Sequence, residues 1–214
     1  MSFALETIGA RRVLFAMAAP AEYGPHLARR FRPLMTGVGP VEAAAAVAVA
    51  LAGLGPDKPD CIICLGSAGS PVLAHTGIYQ VASVSYRDMD ASALGFKKGE
   101  TPFLDLPAEI PLAALVPALP AARLSTGANV VSGPAYAAID ADMVDMETFA
   151  VLRAAQRFDV PVLGLRGISD GREPLAAITD WTEYLHVIDE KMAAAVDQIA
   201  AAIASGASLH YGAP

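Results

Sequence analysis

Positive charge is scarce in this chain of 214 residues. Lysine and arginine together number 15 against 22 aspartates and glutamates, and only 17% of the residues are charged. The basic residues are scattered along the chain and do not form the basic cluster that binds a nucleic-acid backbone. The net charge of −7 therefore argues against a nucleic-acid partner and fits a protein that binds a small neutral or zwitterionic molecule.

Cysteine is limited to Cys61 and Cys64, at a C-x-x-C spacing. Redox pairs and half-sites for zinc share this spacing. Both residues lie in the apolar run 60–65, and residues three apart in a strand point to opposite faces of a sheet. The sequence therefore favours two buried core residues whose thiols diverge.

Metal and dinucleotide motifs are also missing. Gly37-Val38-Gly39 is too short for a dinucleotide-binding fingerprint. The histidines stand apart without the spacing of metal ligands; they are His26, His75, His186 and His210. The sequence predicts neither a metal site nor a cofactor.

Long hydrophobic runs are absent as well. No run approaches the roughly 18 apolar residues of a membrane span. Arg11 and Arg12 precede the apolar run 13–19, which is similar to a short secretory leader, although a buried first strand explains it at least as well. We therefore predict a cytoplasmic protein that binds no membrane.

Hydrophobic residues are abundant, at 54% of the chain with a mean hydropathy of +0.43. We expect a large core and additional apolar surface, which an oligomer would bury. Predicted strands are 13–17, 32–35, 60–65, 78–86, 129–132, 144–146 and 160–168. Predicted helices are 22–31, 41–54, 147–158 and 181–203.

This alternation of strands and helices predicts the fold class. It indicates a single three-layer α/β/α domain around a central mixed, largely parallel sheet. The core should span about 12–204, followed by a loose tail at 205–214. The region 87–122 has many prolines and glycines, and we interpret it as a long functional loop with a short helix.

Polar residues follow several predicted strands directly. Ligands of open α/β sheets bind at these carboxyl ends, which favours a site containing Ser67, Glu147 and Asp170. Each residue also has a structural interpretation when taken singly. Ser67 lies between glycines of a turn, Glu147 begins a helix, and Asp170 could cap a turn.

A set of short motifs occurs together in chain order. They are Gly37-x-Gly39-Pro40, Gly66-Ser67-Ala68-Gly69, Ser83-x-x-Tyr86-x-Asp88-x-Asp90, Ser132-Gly133, Val144-Asp145-Met146-Glu147 and Arg166-x-Ile168-Ser169-Asp170. The set closely resembles the nucleoside phosphorylase superfamily and, within it, the 5'-methylthioadenosine/S-adenosylhomocysteine nucleosidases. The resemblance covers about residues 12–204, and it implies a nucleoside phosphorylase-like fold and cleavage of a purine N-glycosidic bond.

The resemblance also implies roles for individual residues. Asp170 would protonate N7 of the departing adenine with support from Ser169, and Glu147 would hold the ribose hydroxyls. Ser67 and Arg166 would position the attacking water. Further substrate contacts are assigned to Met146 on the sugar face, Tyr136 stacked on the adenine, Asp145 and Gly69.

The chain departs from the family pattern after its first strand. The family's water-activating acid lies three residues after that strand, whereas the only candidate here is Glu22, two places later. The stretch from Glu22 to Gly37 is also shorter than usual. The family usually forms homodimers in which the partner covers the 5' end of the substrate, and we predict that Phe103 makes this contact.

The chemistry sets opposite requirements for the two main carboxyl groups. Cleavage builds positive charge on the ribose and negative charge on the adenine. Asp170 must carry a proton, so its pKa should lie above the roughly 3.9 of a free aspartate. Glu147 should stay ionised to hold two hydroxyls and offset the sugar charge.

Alternative functions remain open at this point. Phosphorylases of one branch carry an arginine before the Gly-Ser turn, where this chain has Cys64 and Leu65, and this difference favours water over phosphate as nucleophile. Arg87 or Arg166 could still contribute to an anion site. A nucleosidase for another purine nucleoside such as futalosine, and a nucleoside-binding protein without catalysis, are further alternatives.

Overall fold

The computed structural model describes residues 3–171, 173 and 176–210. Its strands are β1 Leu5–Ile8, β2 Arg11–Met17, β3 Leu34–Met35, β4 Cys61–Gly69, β5 Ile78–Tyr86, β6 Glu109–Pro111, β7 Ala121–Thr126, β8 Met143–Asp145 and β9 Val162–Asp170. Its α-helices are α1 Pro25–Ala28, α2 Pro40–Leu54, α3 Thr148–Gln156, α4 Ile178–Thr182 and α5 Leu185–Ala204. Short 3₁₀-helices include Pro20–Glu22 and Gly133–Ala138.

Five strands of the sheet close into a ring. β4 pairs with β9, β9 with β5, β5 with β7 and β7 with β8, and β8 returns to β4 through the pair Gly69–Val144. β2 continues the sheet from β4 and pairs with both β1 and β3. Parallel and antiparallel pairs both occur, so the prediction of an α/β fold with a mixed sheet is confirmed. The closure of the sheet was not predicted.

Helices pack on both faces of β2. Leu14 and Ala16 share an apolar cluster with α2 and α3, whereas Val13 and Phe15 share another with α1 and α5. Alternate residues of a strand point to opposite faces. Because both faces are covered, β2 needs a continuous apolar run in place of an alternating one.

The two cysteines follow the same alternation. Cys61 lies in the cluster with α5 and Cys64 in the cluster with α2, and both are buried free thiols. Burial raises the pKa of Cys61 to about 12, so this thiol is not a nucleophile at neutral pH. The prediction of diverging core cysteines is confirmed.

Several elements differ from the sequence prediction. The segment Gly66-Ser67-Ala68-Gly69 is strand and not turn, because β9 pairs with β4 through Gly69. Residues 129–132 form no strand, whereas β7 forms at Ala121–Thr126 and begins within the region 87–122 that was interpreted as a loop. That region forms β6 and a 3₁₀ turn at Ser92–Leu94 in place of a short helix.

The helical segments near the two ends of the chain are shorter than predicted. The helix predicted at 22–31 is reduced to α1, which begins at Pro25 after Gly24. The final predicted helix is divided into α4 and α5. Residues 211–214 of the predicted tail lie outside the described residues.

Helix α2 is apolar on two sides. By length and composition alone, the window Pro40–Asp57, with a hydropathy of 1.2 over 18 residues, could cross a membrane. In the fold, α2 buries Val47 and Leu51 in the core and leaves Val41 and Val49 exposed. The window is not a continuous apolar run, because it contains the charged residues Glu42 and Asp57. Alanine supplies seven of the fifteen residues of α2.

Candidate active site

A cavity of about 520 Å³ opens where β4, β8 and β9 end. The predicted site residues that line it are Glu22, Ser67, Gly69, Asp145, Met146, Glu147 and Asp170. Its other lining residues are Ala18, Ala19, Val38, Ala68, Arg87, Asn129, Val130, Val131, Val144, Ala176, Ala177, Ile178 and Trp181. Four predicted site residues lie outside this lining: Tyr136, Arg166, Ser169 and Phe103.

Closure of the sheet brings the carboxyl groups together. The pair Gly69–Val144 joins the end of β4 to β8, just before Glu147. On the other side of β4, Gly69 pairs with Asp170, and Ser169 is the extra residue of a β-bulge in β9. Bulges re-aim the side chains that follow them, and this one lies next to the acid.

Gly69 is required for the close approach of the acid. A Cβ atom at this position would collide with the hydroxyl group of Tyr136 and would lie 2.6 Å from Oδ1 of Asp170. Only glycine leaves this space free. The glycine of the Gly-Ser-Ala-Gly motif therefore acts through the space that it leaves for Asp170, and not through a turn.

Asp170 is held by two hydroxyl groups. Ser169 Oγ donates to Asp170 Oδ2 over 2.7 Å, and the Tyr136 hydroxyl lies 3.5 Å from Oδ1. Burial raises the pKa of Asp170, and the two hydrogen bonds oppose the rise without cancelling it. The direction is the one that a general acid requires.

Tyr136 takes a different position from the one implied by the family resemblance. Its ring packs in a small apolar cluster with Val131 and Val144, and it does not line the cavity. Burial, followed by the charge of Asp170, raises the pKa of the Tyr136 hydroxyl. In this structure the Tyr136 hydroxyl contacts Asp170, and stacking of its ring on adenine stays a prediction.

Glu147 lies at the entrance to α3, where its Oε1 accepts a 2.8 Å hydrogen bond from the backbone N–H of Gly39. Burial, followed by repulsion from Asp145, raises the pKa of Glu147 to about 7. The raised pKa favours the protonated form in the free protein more than in an ordinary glutamate. The ionised carboxylate predicted from the sequence concerns the substrate-bound site and stays a prediction.

Asp145 and Arg166 form a buried ion pair with an N–O distance of 2.7 Å, and their side chains are 1% and 2% exposed. Burial opposes the ionisation of Asp145, but Arg166 and the hydroxyls of Thr126 and Thr148 hold its pKa below the ordinary value. The Arg166 guanidinium also donates to Thr148 Oγ1 and Cys64 Sγ. Its charge is thus neutralised beneath the cavity floor.

Glu22 reaches the site despite its displaced position in the sequence. β2 ends at Met17, and Ser67 on the neighbouring β4 donates both its backbone N–H and its hydroxyl to Glu22 Oε1, each over 2.6 Å. Glu22 Oε2 is buried and has no hydrogen-bond partner within the described part of the chain.

A second, smaller void adjoins these groups. It has a volume of about 10 Å³ and is bordered by Glu22, Ser67, Glu147 and Arg166, among others. A void of this size is close to the minimum that one water molecule needs. Arg166, although excluded from the main cavity, therefore borders the place where such a water would lie.

Phe103 lies outside the cavity. Its side chain is 93% exposed, and its ring contacts that of Phe96 with centroids 5.6 Å apart. A contact made from a partner subunit stays a prediction.

Trp181 and Asn129 line the cavity although no sequence motif indicated a role for them. Trp181 is the chain's one tryptophan, and its indole N–H donates to Ser67 Oγ over 2.8 Å. Arg87, considered only as an anion ligand, donates to the carbonyl oxygens of Ser125 and Asp145 and to Asn129. No sequence pattern indicates these positions, because each depends on neighbours that are distant in the chain.

Known proteins resemble this chain in sequence and in fold. Residues 135–204 match the family model described as the phosphorylase superfamily. A 5'-methylthioadenosine/S-adenosylhomocysteine nucleosidase of Haemophilus influenzae (strain 86-028NP) is 31% identical over 182 residues, which cover 76% of this chain and 77% of that protein. The corresponding nucleosidase of Actinobacillus succinogenes is 30% identical over 172 residues, covering 72% and 73%.

Solved structures show the same fold at lower identity. A futalosine hydrolase mutant of Helicobacter pylori strain 26695 superposes with a TM-score of 0.75 at 17% identity, covering 87% of this chain and 97% of that one. The Neisseria meningitidis 5'-methylthioadenosine/S-adenosylhomocysteine nucleosidase in complex with methylthio-immucillin-A gives 0.71 at 19% identity, covering 90% and 98%.

The sequence matches and the shared fold agree with one another. The chain belongs to the phosphorylase superfamily and, within it, to the 5'-methylthioadenosine/S-adenosylhomocysteine nucleosidase family of purine N-glycosyl hydrolases.

Proposed function

We propose that this enzyme hydrolyses the N-glycosidic bond of 5'-methylthioadenosine, S-adenosylhomocysteine or both, and releases adenine. The observation that carries the proposal is that Asp170 and Glu147 line one cavity of about 520 Å³. Burial raises the pKa of each carboxyl group. Asp170 can therefore act on the adenine and Glu147 on the ribose of the same N-glycosidic bond.

Asp170 is the proposed general acid. Its raised pKa favours the protonated form, which can donate to N7 of adenine as the C–N bond breaks. Ser169 and Tyr136 contact its two oxygens and fix the carboxyl group. A neutral leaving group replaces an adenine anion, which lowers the barrier to cleavage.

Glu147 is the proposed partner of the ribose hydroxyls. Two hydroxyl donors favour the ionised form of a carboxyl group, so substrate binding would lower its pKa from about 7. The resulting carboxylate would offset the positive charge that develops on the sugar. Met146 lies beside it in the cavity wall and would pack on the sugar face.

Water is the proposed nucleophile, activated by Glu22. The free oxygen Oε2 of Glu22 can accept a proton from a water in the small void bordered by Ser67 and Arg166. Within the described residues, Arg87 is the basic side chain that lines the main cavity, and its three nitrogens already donate to Ser125, Asn129 and Asp145. This arrangement favours water over a phosphate dianion.

Adenine release from 5'-methylthioadenosine, measured with and without phosphate, tests the proposal. We expect equal rates and free methylthioribose as the sugar product. A strict need for phosphate, with a sugar 1-phosphate as product, would show a phosphorylase. Release of the base from futalosine but not from 5'-methylthioadenosine would show that futalosine is the substrate. Binding of the nucleoside without turnover would indicate a nucleoside-binding protein.

We also propose that the cytoplasmic enzyme is a homodimer that buries the outer face of α2. Val41 and Val49 on this face are 77% and 65% exposed, and Glu42 is the one charged residue of the helix. Val38, which lines the cavity, lies two residues before Pro40, the first residue of α2. A partner packed on α2 would therefore lie near the cavity, where Phe103 of the partner subunit could cover the substrate.

Light scattering tests the dimer. The unaltered protein should have the mass of two chains, and Val49→Asp should have the mass of one, because a buried aspartate without a partner is costly in an apolar interface. Val72→Asp provides a matched control, since Val72 is 73% exposed but lies outside α2. Equal masses for the unaltered protein and Val49→Asp would contradict the proposed interface.

A further inference from the structure

The one tryptophan of the chain is bonded to the water-activating side of the site. Trp181 belongs to α4 and lines the main cavity. Its indole N–H donates to Ser67 Oγ over 2.8 Å. The same oxygen belongs to the hydroxyl that donates to Glu22 over 2.6 Å. Three side chains thus form one chain of hydrogen bonds that ends on the proposed base.

The direction of this chain of hydrogen bonds is fixed by chemistry. An indole N–H can only donate, and a serine hydroxyl has one proton and two lone pairs. Ser67 Oγ must therefore accept from Trp181, and its single proton points to Glu22 Oε1. The backbone N–H of Ser67 donates to the same oxygen, so Oε1 is occupied by two donors.

The consequence appears at the other oxygen of Glu22. Oε2 is buried and has no partner among the described residues, and Glu22 borders the void of about 10 Å³. With Oε1 held by Ser67, Oε2 remains the acceptor for a proton from water. Without the indole donor, the Ser67 hydroxyl would be free to rotate, and Glu22 Oε1 would be held by the backbone N–H of Ser67 alone.

We propose that Trp181 is a positioning residue for hydrolysis, which acts through Ser67 to hold Glu22 in the orientation that accepts a proton from the attacking water. This inference rests on the proposed role of Glu22. It assigns to the indole N–H a function separate from the apolar contact that its ring makes in the cavity wall.

An isosteric replacement separates these two functions. Because the chain has one tryptophan, global replacement by β-(3-benzothienyl)alanine alters position 181 alone; this analogue keeps the two fused rings and exchanges the N–H for sulfur. We expect kcat for adenine release to fall about fivefold, the effect of one hydrogen bond. KM should change less than twofold, because the ring remains in the cavity wall.

A double-mutant cycle with Ser67→Ala tests whether the effect passes through Ser67. In the Ser67→Ala protein, the same replacement should leave kcat unchanged within twofold. Trp181→Phe serves as a second variant. Its effect on kcat should likewise be present with Ser67 and absent in the Ser67→Ala protein.

The outcomes separate this inference from the proposed function. A fall in kcat of the same size with and without Ser67 would overturn the inference, and so would an unchanged kcat in the isosteric protein. A rise in KM without a change in kcat would assign Trp181 to substrate contact alone. If the unaltered protein releases no adenine, the proposed function is wrong, and the inference fails with it.

Discussion

Replacement of Asp170 by asparagine is expected to lower kcat for adenine release by about 10²- to 10⁴-fold, the range of general acid catalysis. Asparagine keeps the shape of the side chain and an oxygen that can accept from Ser169, but its amide is not acidic and cannot transfer a proton to N7. The initial rate of adenine release measures the loss. Asp159→Asn makes the same chemical change at an exposed position outside the cavity, and it should leave the rate unchanged.

A substrate that needs no proton distinguishes acid catalysis from binding. Methylation of N7 gives the purine a permanent positive charge, so its departure requires no general acid. The difference between the Asp170→Asn and unaltered proteins should therefore be much smaller for an N7-methylated 5'-methylthioadenosine. Equal losses on both substrates would show that Asp170 binds the base and does not protonate it.

Replacement of Glu147 by glutamine is expected to have opposite effects on activity and stability. Activity should fall by about 10²- to 10³-fold, because a neutral amide cannot offset the charge that develops on the ribose. The free protein should become more stable at pH 8. Glutamine retains an oxygen that can accept the hydrogen bond from Gly39, and it removes a buried carboxylate that Asp145 repels.

The pH dependence of this stabilisation follows from the raised pKa. Folding raises the pKa of Glu147 from 4.5 to about 7, so the folded state binds more protons than the unfolded state between these values. The unaltered protein therefore loses stability as pH rises through this window. The advantage of Glu147→Gln should be small at pH 4.5 and about 3 kcal/mol at pH 8.

Urea unfolding of the free protein at pH 4.5 and pH 8 measures this difference. Glu190→Gln is a matched control, because Glu190 is exposed on α5 and its replacement should change stability by less than about 0.5 kcal/mol at either pH. A destabilised Glu147→Gln protein at pH 8 would show that the carboxylate is stabilised in the free site, contrary to its raised pKa.

Local sequence patterns predicted most of the elements that surround the site. The strand predicted at 78–86 coincides with β5, and the helix at 41–54 differs from α2 by one residue. β7 was missed because Ala121–Thr126 contains little apolar bulk and is buried mainly in its second half. The run 129–132 contains two adjacent valines, but it lies at the cavity wall without a neighbouring strand.

The residues of the candidate site also fall into those that the sequence predicts and those that it does not. The motifs around Glu147 and Asp170 are contiguous in sequence, so their presence could be recognised without a structure. The positions of two further polar residues, Arg166 and Glu22, could not be predicted from the sequence. Arg166 is neutralised by Asp145 beneath the floor, whereas Glu22 is brought to Ser67 by the end of β2. Both outcomes depend on which strands are neighbours.

The sequence by itself determined the strand and helix periodicity, the divergence of Cys61 and Cys64, and the acidic motifs, because each depends on residues within a few positions of one another. Only the tertiary structure decided the closure of the sheet at Gly69–Val144 and the hydrogen bond from Trp181 to Ser67. These contacts join residues that are 75 and 114 positions apart, and no local propensity encodes a distance of that kind.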